Sequence, residues 1–301
     1  MKEMQGKILK GIGGFYYVET PAGCIECRAR GVFRNRGETP MVGDEVRICL
    51  DEQTGKGVLE ELYPRKNFLQ RPGVCNVDCL YIVVSTIDPA PNLLNIDKLT
   101  ALAVHRNIEP CIIISKTDLK ENKALYNLYV DAGFTVFEIG FHQQNIEPLR
   151  QSLAGKVSAF TGNSGVGKST LINRLLPQLQ LETGEISKKL SRGRHTTRHI
   201  ELFPLPGGGY LADTPGFSSI DFEDGVVIEK QAVIDCFPDF VPFLNRCRFP
   251  DCRHIGERDC GIKQAVSQGK IASSRYESYC VLYREAEKIK DWEKGIKKGN
   301  G

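Results

Sequence analysis

Two hydrophobic rhythms divide the chain. Over residues 1–68, apolar and polar positions alternate in short runs, at 15–18, 24–28 and 45–49. Turn residues separate these runs: Gly13-Gly14, Pro21-Ala22-Gly23, Gly43-Asp44 and Thr54-Gly55. Short strands at this spacing predict a small β-barrel, and a five-stranded barrel of the OB type fits the length. From Cys75 the pattern changes to continuous β-branched apolar runs at 80–85, 111–115, 134–139 and 157–161. Segments of helical character lie between them at 95–106, 122–132 and 145–153. Buried strands alternating with helices predict a parallel α/β sheet. Two further strands, at 198–203 and 209–212, flank Pro206-Gly207-Gly208-Gly209 and read as a hairpin. Residues 64–72, with Pro at both ends, read as a linker. After Gly216 the chain is irregular and rich in Cys, Pro and Phe, and it ends in a charged helix at about 273–294. The pattern thus predicts an α/β multidomain protein with domains at 1–68, 69–220 and 221–301.

Composition narrows the class without deciding the function. The chain has 301 residues, 41% hydrophobic and 26% charged, as a folded soluble protein has. No apolar run approaches the ~20 residues that span a bilayer, so no membrane partner is expected. The first 14 residues carry no apolar signal core, which predicts a cytoplasmic location. A net charge of +3 is too small to establish nucleic-acid binding by itself. Charge is concentrated instead at Lys188, Lys189, Arg192, Arg194 and Arg198, and again at Lys288, Lys290, Lys294, Lys297 and Lys298. Each cluster fits a solvated face as well as a polyanion contact. Eleven cysteines, an odd number without a secretion signal, argue against a disulfide framework.

The chemistry lies in three motifs. Gly162-Asn163-Ser164-Gly165-Val166-Gly167-Lys168-Ser169-Thr170 carries G-x-x-x-x-G-K-S/T directly after the strand at 157–161 and opens a helix that runs to Leu176. That strand–loop–helix context is the one a phosphate loop requires. Its glycines let backbone N–H groups point at phosphate, and the helix N-terminus adds a favourable field. Lys168 is expected to reach the β- and γ-phosphates, and Ser169 to ligate Mg²⁺. Asp213-Thr214-Pro215-Gly216 ends another apolar strand. Its Asp is expected to hold Mg²⁺ through water, and the Gly216 N–H to touch the γ-phosphate. Between them, Gly193-Arg194-His195-Thr196-Thr197-Arg198 offers Thr196 and Thr197 as alternative ligands for Mg²⁺ and the γ-phosphate.

Ser115-Lys116-Thr117-Asp118 follows the apolar strand at 111–114 and is close to N-K-x-D. An Asp there accepts two hydrogen bonds that guanine donates and adenine cannot supply. Lys116 would lie along the base plane. Two positions depart from the pattern: Ser115 replaces Asn, and the second base-contact loop reads Ile139-Gly140. The base motif also precedes the phosphate loop, the reverse of the usual GTPase order. Such a circular permutation moves only the termini and leaves the three-dimensional arrangement available.

Cys247-x4-Cys252-x-His254-x5-Cys260 places three thiols and an imidazole within 14 residues. That is a closed tetrahedral zinc set, in a region with little apolar core of its own. Cys236 is a less suitable substitute. In Cys24-x-x-Cys27 the side chains of an alternating strand point to opposite faces, which argues against a metal or redox pair.

A barrel, a permuted GTPase and this Cys/His set together resemble the RsgA (YjeQ/YloQ) family of ribosome small-subunit-dependent GTPases, on 162–169, 193–197, 213–217 and 247–260. The resemblance implies a cytosolic GTPase acting late in maturation of the small (30S) ribosomal subunit. It also implies hydrolysis stimulated by the subunit, an RNA-binding barrel at 1–68, one structural Zn²⁺, Mg²⁺ with GTP, and a monomer. Phe217 stands where Ras-like proteins carry a water-orienting Gln. Together with the resemblance, this makes His195 the candidate for positioning the attacking water, alongside Lys168 as the second catalytic candidate. A loop residue or an RNA contact is the other reading of His195. The alternative function is a nucleotide-gated RNA- or ribosome-binding module in which hydrolysis is incidental.

Overall fold

Alternation along the first strands places one row of side chains inside a barrel. The computed structural model describes residues 2–70, 73–140, 146–179, 200–213 and 228–288. These residues fall in two units, one built from 1–81 and 145–220, the other from 82–144 and 221–297. In the first unit, β1 (Lys2–Ile12), β2 (Phe15–Thr20), β3 (Gly23–Ala29), β4 (Glu45–Asp51) and β5 (Lys56–Leu62) form the barrel, with α1 (Gly31–Asn35) between β3 and β4. The order is β1-β2-β3-β5-β4, and β4 pairs back to β1. β3 and β5 run parallel, and the other pairs are antiparallel. Ile8, Val18, Ile25, Cys27, Phe33, Val46, Ile48 and Leu59 fill the interior. Each such buried side chain stabilises the fold by roughly 1.5–3 kcal/mol. Cys27 lies inside and Cys24 outside, as alternation predicts.

β1 continues beyond the barrel. Lys10 pairs antiparallel with Glu201 on β12 (Glu201–Pro204), and their side chains form an ion pair at 2.6 Å. β12 turns through Gly207–Gly209 into β13 (Tyr210–Asp213), which runs parallel to β11 (Val157–Thr161). At Gly209, φ is 84° and a Cβ would collide with the Lys156 backbone, so the hairpin requires glycine. α4 (Glu147–Leu153) precedes β11 and α5 (Lys168–Leu175) follows it. The stretch at 64–72, expected as a linker, contains β6 (Phe68–Gln70), paired with β7 (Gly73–Cys75). Polar contacts order it: Arg65 grips the buried Asp44 carboxylate at 2.6 and 2.8 Å, and the Asn67 carboxamide bonds both ways to the Val77 backbone. Hydrophobic periodicity carries no trace of such contacts.

β8 (Cys79–Ser85) carries its first three residues in the first unit and the remainder in the second. The second unit continues with α2 (Leu93–His105), β9 (Glu109–Ser115), α3 (Lys123–Asp131) and β10 (Thr135–Ile139). β9 and β10 are parallel, from Cys111↔Thr135 to Ser115↔Ile139. Asn92 and Asn122 cap α2 and α3 by accepting N–H bonds at 3.1 Å. A 3-10 stretch (Pro238–Arg246), α6 (Gly261–Ser267) and α7 (Ser273–Glu287) complete the unit. They share a core of Ala101, Phe237, Phe240, Ile262, Tyr279 and Leu282. Arg275 on α7 is 1% exposed and pairs with Asp97 of α2 at 2.7 Å and with Asp239 at 2.8 Å. Its guanidinium lies over the rings of Phe134 and Phe237.

Candidate functional site

The phosphate loop is built as its glycines predict. Gly162, Gly165 and Gly167 all have positive φ, and Gly167 in the left-handed region is the N-cap of α5. Val166 is buried and anchors the loop, while Asn163, Ser164 and Gly165 are exposed. Lys168 is the first residue of the helix. Its Nζ donates to the carbonyls of Gly162 and Asn163 at the mouth of the loop. Burial lowers its pKa to about 8, because removal from water disfavours the charged amine. Ser169 and Thr170 follow, half-buried on the first turn. Asp213 closes β13, the strand parallel to β11. His195, Thr196, Thr197 and Gly216 lie outside the described residues.

The S-K-x-D segment turns off the end of β9. Ser115 Oγ donates to the Val84 carbonyl on β8 at 3.0 Å. Lys116 has φ 60°, a left-handed turn, and its Nζ donates to the Asp88 carbonyl. Thr117 is buried, whereas Asp118 is exposed at the tip, with Gly140 against its side chain.

Cys247, Cys252, His254 and Cys260 converge, with all ligand atoms within 4.8 Å of one another. Cys247 Sγ and Cys260 Sγ are 4.0 Å apart, and His254 Nδ1 is 3.4 Å from each. A tetrahedron with Zn–S ≈ 2.3 Å and Zn–N ≈ 2.0–2.1 Å has edges of about 3.8 Å (S–S) and about 3.6 Å (S–N). The donor set therefore fits zinc in identity and in spacing. Burial raises the Cys252 thiol to about 12 and lowers the His254 imidazole, favouring the neutral forms of both. A divalent cation reverses that preference for the thiols. Outer contacts hold the loop: the Gly261 N–H points at Cys247 Sγ, and the hydroxyls of Tyr276 and Tyr279 on α7 donate to the carbonyls of His254 and Arg253. Cys236 is excluded from the cluster, since its thiol faces the Ala232 carbonyl in the core.

A glycine loop carrying a lysine between a buried parallel strand and a helix, with an S-K-x-D loop upstream of it, defines a P-loop GTPase with its motifs in permuted order. The RsgA N-terminal domain family matches residues 5–59, and the RsgA GTPase family matches residues 62–223. A small ribosomal subunit biogenesis GTPase RsgA of Alkaliphilus metalliredigens is 42% identical over 94% of this chain and 98% of its own length. One from Caldanaerobacter subterraneus is 42% identical over 95% and 97%. Among solved structures, YloQ, described as a circularly permuted GTPase, superposes with a TM-score of 0.81 at 34% identity over 96% of both chains. YjeQ from Thermotoga maritima superposes with a TM-score of 0.81 at 33% identity over 96% of this chain and 100% of its own. The chain belongs to the RsgA GTPase family and is a GTP hydrolase. The predicted fold class holds: a five-stranded barrel, the P-loop GTPase fold and a C-terminal Cys/His cluster. Among the described residues no helix is long and apolar enough to cross a membrane.

Proposed function

We propose that this GTPase acts in the cytoplasm, as a monomer, in late maturation of the small (30S) ribosomal subunit, and that the subunit and its rRNA stimulate GTP hydrolysis. The observation that carries the reading is the phosphate loop closed on Lys168, in a chain matched almost end to end by relatives named for small-subunit biogenesis.

The site residues divide the work. Lys168 exchanges its two carbonyl partners for β- and γ-phosphate oxygens, and the loop N–H groups from Gly162 to Thr170 hold the remainder. Ser169, Asp213 and one of Thr196 and Thr197 hold Mg²⁺, which supplies charge neutralisation at the phosphates. Gly216 contacts the γ-phosphate, and the loop from Ser115 to Asp118 reads guanine. Cys247, Cys252, His254 and Cys260 hold one structural Zn²⁺, which fixes the loop between the 3-10 stretch and α6. His195 orients the attacking water, because Phe217 has no polar group to do so.

The test is GTP turnover with and without purified small subunits. The proposal predicts slow intrinsic hydrolysis and a rise of at least ~100-fold on adding subunits, a lower bound beneath the roughly 10³–10⁵-fold that an arginine finger supplies. Turnover unchanged by subunits contradicts it.

A further inference from the structure

The loop expected to read guanine turns through a left-handed residue that is tied both from within the loop and from outside it. Lys116 is left-handed at φ 60°. A residue with a side chain keeps that conformation only where its surroundings enforce it. In an N-K-x-D loop the first residue carries a carboxamide. Here Ser115 has one short hydroxyl, and that hydroxyl is committed to the Val84 carbonyl on β8.

From within the loop, the Leu119 and Lys120 N–H groups donate to the Lys116 carbonyl at 3.0 and 3.3 Å, and two further contacts bracket the turn from Thr86, the residue just after β8. Its N–H donates to the Ser115 carbonyl at 3.1 Å, and its Oγ1 donates to the Lys116 carbonyl at 3.0 Å. The peptide groups on either side of the Lys116 Cα are thus tied to one side chain and its own backbone. Thr86 is 5% exposed, so water competes little for these bonds. Gly140 forms the opposite wall. A Cβ there would stand 2.9 Å from Asp118 Cβ and 3.1 Å from Asp118 Cγ and Oδ1. The Asp118 carboxylate therefore occupies space that only glycine leaves open.

We infer that Thr86 and Gly140 are positioning residues for base recognition: Thr86 holds the turn that presents Asp118, and Gly140 leaves room for its carboxylate. Neither touches the base through its side chain. The inference rests on the proposed reading of guanine by Asp118.

Thr86→Val keeps the shape and the backbone N–H and removes the hydroxyl, whereas Thr86→Ser keeps the hydroxyl. Binding of GDP, GTP and ATP to the full-length protein separates the cases. T86V is expected to lose about tenfold in GDP and GTP affinity, the step that one lost loop contact of ordinary strength represents. ATP affinity stays unchanged, so the preference for GTP over ATP falls by the same factor. The KM for GTP rises while kcat at saturation is retained, and T86S stays close to wild type. G140A inserts a methyl from the other side and predicts the same loss of preference, which keeps the inference testable should T86V not fold.

Wild-type preference in both T86V and G140A overturns the inference, as does a T86S variant as impaired as T86V. D118N separates this failure from that of the underlying reading. If D118N shifts preference to xanthine nucleotides while T86V and G140A behave as wild type, only the positioning role is wrong. If D118N leaves guanine preference intact, the base reading fails and the inference fails with it.

Discussion

Lys168 shows how much one side chain's surroundings set. Its amine is drawn from water by the loop, and its pKa falls from 10.5 to about 8. The sign follows directly. Below about pH 8 the amine is charged and can bind phosphate; above it, the charge is lost unless the ligand's anionic field restores it. GDP affinity should fall between about pH 7 and 9, with proton uptake on binding at the alkaline end. Calorimetric titration in buffers of different ionisation enthalpy measures both, and Lys168→Arg, charged throughout, should flatten the profile. A depressed lysine pKa also means that this group opposes folding while the amine is charged, and that the penalty fades as pH rises from about 8 towards 10.5. His195→Ala should lower turnover with GTP affinity near wild type, and unchanged subunit-stimulated turnover would remove His195 from the mechanism. Lys168 was legible from its motif alone. Thr86 was not, because its bond to Lys116 spans 30 positions and no local rhythm links the two.

At the scale of elements, polar contacts do what apolar patterning could not announce. β9, β10 and β11 are continuous apolar runs, and the sequence predicts them nearly to their ends. β1, with three Lys and two Gly among its eleven residues, has no such run and was not anticipated. It forms because both its edges are paired, to β2 and to β4. The joint between α2 and α7 depends on Arg275 between Asp97 and Asp239. Arg275→Met leaves two buried carboxylates uncompensated and should destabilise the second unit by about 3–5 kcal/mol, read from urea unfolding. Arg275 sits in a charged helix pattern that suggests an exposed face, and nothing in that pattern marks it as buried. The Cys/His set was the reverse case, fully legible from spacing. Stripping the metal with a chelator should release about one zinc per chain, detectable with a chromogenic indicator, and expose residues 247–260 to protease. A protein without bound zinc, or one equally protease-resistant after chelation, contradicts the metal assignment.

Across the whole molecule, the order of motifs is the informative feature. The phosphate loop belongs to the first unit and the S-K-x-D loop to the second, and the strand that divides them, β8, belongs to both. The proposed reading assigns the phosphates to Lys168 and the base to Asp118. Motif identity and spacing are enough to predict this. What they leave out is how each loop is held in shape, which depends on Thr86, Gly140 and the carbonyls under Lys168. The most direct measurement is triphosphate hydrolysis by Asp118→Asn, alone and combined with Lys168→Ala. The account predicts that D118N hydrolyses xanthosine triphosphate in preference to GTP, and that adding K168A abolishes that activity, because Asp118 is proposed to read the base and Lys168 to hold the phosphates. A D118N protein that still prefers GTP, or a double variant that still hydrolyses xanthosine triphosphate, would contradict it.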